Sequence, residues 1–195
     1  LTLSEYVSSK EGKKVAEKLN VPFYDKELVQ LAAEKSNLSP EAVEHVDERA
    51  TNSFLYSIVS GNYSMRGLNT PVYYDMPIND KLFIAQTEVI KSLAHEDCVI
   101  VGRCADFVLK NNDNVVRLFV HSTPEKNLET VCNLKGLEEK EAQKLIDKTN
   151  KHRAAYYKCY TGRDWDNAKN YDLCLDSSRL TYEKCVEIVK AYISI

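Results

Sequence analysis

The run Cys98-Val99-Ile100-Val101 passes directly into Gly102-Arg103-Cys104-Ala105-Asp106-Phe107. Unalternating apolar residues, with Glu96 and Asp97 before them and a Gly-Arg pair after, fit a strand buried on both faces. A parallel strand covered by helices on each side has this pattern. In open α/β sheets ligands sit outside the carboxyl ends of the strands. Arg103, delivered to such an end with Asp106 three residues on, is therefore a candidate anion holder. The plainer alternative is that Arg103 caps the strand and pairs with Asp106 at the surface.

The rest of the chain alternates in the way that strand requires. Leu1–Ser4 and Val21–Asp25 read as short strands, and Val115–Val120 and Tyr171–Asp176 as further ones. Apolar residues at helical spacing predict helices over 10–19, 26–35, 80–94, 138–160 and 181–193. Ser39-Pro40-Glu41 and Thr123-Pro124-Glu125 are helix starts, and Gly136 is a helix end. Strands interleaved with helices predict an α/β fold, a three-layer α/β/α sandwich around a parallel sheet of about five strands. At 195 residues, 44% of them hydrophobic, the chain is expected to be a single domain, 1–195.

Charge and cysteine usage narrow the function class. A net charge of −3 gives no global case for nucleic acid or an anionic membrane. No apolar run approaches the roughly 18 residues of a membrane span. The six cysteines form no C-x-x-C pair, and Cys98, Cys174 and Cys185 fall in apolar patterns. They are expected to be small buried residues in a reducing compartment, with the cytoplasm as default.

Three stretches carry chemistry. Around Glu5–Lys14, a strand, a loop of small residues and a lysine-bearing helix start resemble a phosphate cradle, with Ser8, Ser9, Lys10, Gly12 and Lys13 as candidates. The Walker pattern is not met, because only Gly12 is present and Lys14 stands in the Ser/Thr position. An ordinary solvated basic helix is the alternative. The segment 51–79, with Tyr56, Tyr63, Tyr73 and Tyr74 among Gly and Pro breakers, is long enough to cover a ligand site; its rings stack on a base or pack on the domain body. In the helix 138–160, Arg153 falls among Tyr156, Tyr157 and Tyr160 where an aliphatic residue is expected, with Lys148 and Lys151 nearby. Either an anion lies opposite these cations, or their stems pack on the tyrosines beside solvent.

Four pieces together resemble the cytidylate kinase-like proteins, nucleoside monophosphate kinases of the P-loop fold. They are Ala16–Leu28, Val99–Phe107, Lys148–Gly162 and Asn170–Ser178, in the family's order. The resemblance implies transfer of the terminal phosphoryl group of ATP, with Mg2+, to a small nucleotide, CMP or dCMP. It implies that Arg103 holds the acceptor phosphate, with Asp106 and Asp25 beside the acceptor and Tyr157 as a further substrate-binding residue. Lys148, Lys151 and Arg153 match the basic positions of a helical lid (136–165), and segment 51–79 falls where an acceptor-binding insertion belongs. Two departures stand out. Ser4-Glu5-Tyr6-Val7-Ser8-Ser9 lacks the glycines of the family's loop, and Asn150 stands where an aspartate is usual. Glycine matters in that loop because the backbone must approach the phosphates closely. Missing residues near the first loop are the expectation, since the chain begins at Leu1; a catalytically degenerate nucleotide-binding module is the alternative.

Overall fold

The computed structural model describes residues 8–36 and 77–194. The expected strand Leu1–Ser4, the helix start at Ser39 and residues 51–76 of the tyrosine-rich segment lie outside them. Helix α1 (Ser8–Leu19) leads into strand β1 (Phe23–Tyr24) and helix α2 (Glu27–Ser36). Helix α3 (Ile78–Leu93), strand β2 (Val99–Ile100) and the one-turn α4 (Ala105–Val108) follow. Strand β3 (Leu118–His121), α5 (Pro124–Lys135), the long α6 (Glu139–Thr161), strand β4 (Leu173–Asp176) and α7 (Tyr182–Ile193) complete the order.

The described strands form two parallel pairs. Phe23 and Tyr24 lie opposite Val99 and Ile100, and Leu118 to His121 opposite Leu173 to Asp176. Among the described residues there are four short strands in two pairs; the single sheet of about five strands suggested by the sequence is not shown there. Alternation along each strand sorts side chains to two faces. On one face Leu118, Val120 and Leu175 pack with Val15 of α1 and Cys185, Val186 and Val189 of α7, and Val99 joins them. On the other, Tyr24 and Ile100 pack beneath Leu28 and Ala32 of α2 and Leu82, Val89 and Ile90 of α3. Helix α1 thus reaches both pairs from one side. Gly12 lets it lie close, because a Cβ there would stand 3.0 Å from both Phe23 Cε2 and Val101 Cγ2.

Helix bounds follow local chemistry. Thr123 accepts from the Lys126 amide with Pro124 at the first helical position, Thr181 accepts from the Lys184 amide, and Gly136 ends α5 at φ 65°. Strand β3 begins later than its apolar run. The Arg117 amide is diverted to Asp172 Oδ2 (2.7 Å), while the guanidinium grips the same carboxylate through Nε (2.9 Å) and Nη2 (2.5 Å). Those bonds hold the Asp172 carboxyl below its usual range, the guanidinium contact contributing most. Cys174 departs from expectation as well. The β4 alternation that buries Leu175 turns Cys174 outward, so it is exposed, whereas Cys185 is buried and Cys98 half-buried. Among the described residues no helix is long and apolar enough to cross a membrane.

Candidate active site

The chain does something unusual where β2 ends. Gly102, Arg103 and Cys104 take φ values of 76°, 53° and 57°, a left-handed turn in which two residues carry side chains. Such a conformation costs about 1–2 kcal/mol for each non-glycine residue. It is held by the Val101 amide on Tyr24 O (2.8 Å), the Ala105 amide on Gly102 O (3.0 Å) and the Val108 amide on Cys104 O (2.9 Å). Strain retained in this way gathers at functional sites. Its effect is to turn Arg103 inward, leaving it 8% exposed at the carboxyl rim of the strand. A guanidinium that buried requires anionic surroundings. Asp25 ends the neighbouring strand on the same rim, since Tyr24 pairs with Ile100.

One turn past Arg103, Asp106 meets α6. Tyr157, 2% exposed, donates its hydroxyl to Asp106 Oδ2 at 2.6 Å. Burial first, then the hydrogen bond and the carboxylate charge, push the Tyr157 phenol above its ordinary range. It therefore stays protonated and donates. Asp106 Oδ1 is buried with no hydrogen-bond partner. An acceptor in that state is matched to a donor the protein does not supply.

Helix α6 divides its cations. At 3.6 residues per turn, Arg153 shares a face with Tyr156, Tyr157 and Tyr160, while Lys148 and Lys151 fall on the opposite side. Arg153 is half-buried and both lysines are exposed. Tyr156 and Tyr160 bind α3. Tyr160 donates to Asp80 Oδ1 (2.9 Å) and stacks on Phe83 at 4.1 Å, and Tyr156 donates to Gln86 Oε1 (3.2 Å). Asp80 and Gln86 are 0% and 1% exposed. They were not among the sequence-derived site residues, although the spacing of Asp80, Phe83, Gln86 and Ile90 puts two polar groups on an inward stripe.

The candidate donor-loop residues sit on α1. Because α1 ends where β1 begins, its amino-terminal part, with Ser8, Ser9 and Lys10, lies towards the carboxyl rim. Gly12 lies in the helix against β1 and β2. Lys13 is exposed, lining an open groove with Glu17 and Asn20, and Lys14 pairs with Glu183 at 3.1 Å. At the β3–β4 rim, the Ser177 amide and hydroxyl both donate to His121 O, and Ser178 donates through amide and hydroxyl to Asp176 Oδ1. The Ser178 bonds above all hold the Asp176 carboxyl below its usual range.

Residues 7–179 match the family model described as the cytidylate kinase-like family. The chain belongs to that family. Two solved structures are similar to it in fold. An uncharacterized protein from Eubacterium ventriosum is 23% identical, with 99% of this chain and 94% of that one aligned at a TM-score of 0.71. Shikimate kinase from Bacteroides thetaiotaomicron is 15% identical, with 100% and 95% aligned at a TM-score of 0.51. Both likenesses are of fold, and the second makes it a kinase-like α/β fold. Among curated proteins none matches the chain.

Proposed function

We propose that this cytidylate kinase-like protein transfers the terminal phosphoryl group of ATP to a nucleoside monophosphate, CMP or dCMP, by direct in-line displacement. The observation that carries the proposal is the buried Arg103 on its left-handed turn at the carboxyl rim of β2, beside Asp106 with one oxygen unsatisfied. Phosphoryl transfer is mostly positioning and charge neutralisation, so such a site needs cations brought from different elements. In this proposal Arg103 holds the acceptor phosphate, and Asp106 with Tyr157 and Asp25 orients the acceptor. Arg153 serves the transferring group; Lys148 and Lys151 would reach it only after a roll of α6.

The donor end of the proposal rests on α1. In this proposal the stretch Ser8 to Lys10, in the amino-terminal part of α1, faces the donor phosphates, where backbone N–H groups and the positive end of a helix dipole favour negative charge. Gly12 contributes by letting the helix lie close to the strands. Magnesium carried with ATP would take oxygen ligands and neutralise the phosphate charge; among the described residues no group of three or more His, Cys, Asp or Glu gathers to hold it. Six free thiols suit a reducing, cytoplasmic setting.

The test is ADP release from Mg-ATP with CMP, dCMP, UMP, AMP and GMP in turn. Turnover restricted to CMP and dCMP is expected. No turnover with any monophosphate, from protein verified to carry a complete amino end, overturns the kinase proposal. Thermal stabilisation by CMP in that inactive protein would instead identify a nucleotide-binding module.

A further inference from the structure

Gln86 is 1% exposed, yet its amide is only half used. Oε1 accepts from the Tyr156 hydroxyl at 3.2 Å. Nε2 is buried and has no hydrogen-bond partner. A buried donor left unsatisfied costs about 1–3 kcal/mol, and native proteins carry few of them. An apolar residue of the same length would fill this part of α3 at no such cost, since Leu82, Val89 and Ile90 on the same helix do so.

The surroundings set what the donor is for. Tyr156 belongs to a cluster with Cys104, Tyr157 and Tyr160, with Phe83 and Phe107 packed against it. Cys104 is the residue next to Arg103. Consecutive tyrosines of one helix therefore hold two groups near the proposed acceptor site, Tyr156 the Gln86 amide and Tyr157 the Asp106 carboxylate. Each held group has one buried polar atom left over, a donor at Gln86 Nε2 and an acceptor at Asp106 Oδ1. Aromatic walls with a few fixed polar groups are how planar ligands are recognised.

We propose that Gln86 selects the acceptor: its Nε2 hydrogens donate to a carbonyl oxygen or ring nitrogen on the nucleobase of the bound monophosphate. This rests on the monophosphate kinase proposal and adds to it the residue that reads the base. A site built around a buried donor discriminates strongly against ligands that lack the matching acceptor.

Binding constants for CMP and for ribose 5-phosphate, which has no base, test the assignment in wild type, Gln86→Glu and Gln86→Met. Gln86→Glu keeps the acceptor for Tyr156 and replaces the amide donor by a carboxyl; Gln86→Met removes both. The expected result is CMP affinity weakened about tenfold or more in each folded variant, with ribose 5-phosphate affinity and KM for ATP unchanged. Equal weakening of both ligands, unchanged CMP affinity, or failure of both variants to fold makes Gln86 a core support and overturns the proposal. If wild type binds ribose 5-phosphate and CMP equally, no base is read and the selection idea fails alone. If wild type binds neither, the kinase proposal falls first.

Discussion

Replacing Tyr157 by Phe removes one hydroxyl and little volume, so its consequence can be worked from a single contact. The 2.6 Å bond to Asp106 Oδ2 is charge-assisted and lies under a phenol only 2% exposed. Asp106 Oδ1 already lacks a partner, so the variant leaves the carboxylate with neither oxygen bonded to a side-chain donor that the wild type supplies. Hydrogen bonds to charged groups are worth about 1.5–3 kcal/mol, and the phenyl ring retains the packing. The expected loss is therefore about 2 kcal/mol, which lowers Tm by about 4–8 °C in a chain of this length. Thermal melts of Y157F, D106N and the double variant measure the coupling directly, with an expected value of about 1.5–3 kcal/mol. The sign of the pH dependence is also fixed. The folded phenol titrates above its ordinary value of 10.0, so its contribution is complete below pH 10 and is lost as pH rises beyond it. Wild type should therefore lose stability above pH 10 more steeply than Y157F. A Y157F melt within about 1 °C of wild type, or additive effects of the two single changes, would refute the reasoning.

Other consequences are as direct. Gly12→Ala places a methyl 3.0 Å from Phe23 and Val101, so overpacking should outweigh the gain in helix propensity and lower stability by about 1 kcal/mol in urea unfolding. Asp172, held below its ordinary 3.8 by Arg117, stabilises the fold above that pH and ceases to as pH falls through its folded value. D172N should thus be less stable than wild type at pH 7 by about 1–2 kcal/mol, with the gap narrowing as pH falls below 3.8, as measured by urea midpoints. Arg103→Lys keeps the charge and loses the planar fork, so KM for CMP should rise about tenfold while KM for ATP stays level; equal rises in both would place Arg103 elsewhere.

Helix ends were legible because capping is local: Thr123-Pro124, Gly136 and Thr181 act within four residues of themselves. Strand ends were not, because the bond that delays β3 joins Arg117 to Asp172, 55 positions away. The same distance in sequence hides the orientation of Cys174, which depends on which face of β4 the helices cover. At the candidate site, Arg103 and Asp106 were legible from their place after an apolar run. The left-handed turn was not, since Gly102 alone signals positive φ while Arg103 and Cys104 ordinarily avoid it. Gln86 and Asp80 could have been found as polar residues on an inward stripe, but their tyrosine partners on α6 had no sequence signature as partners. Lys148 and Lys151 were grouped with Arg153 by proximity in the chain, and helical rotation separates them.

The short link between α1 and β1 has a mechanical consequence. Asn20, at φ 55°, is the one left-handed residue there, and the Val21 amide returns to Ala16 O at 3.0 Å, so the chain carries no slack. A push on the first turn of α1 along its axis must be passed to β1, and through its ladder to the segment that bears Arg103. If the proposed donor and acceptor sites lie at those two places, a nucleotide seated at one would be felt at the other without any hinge between them.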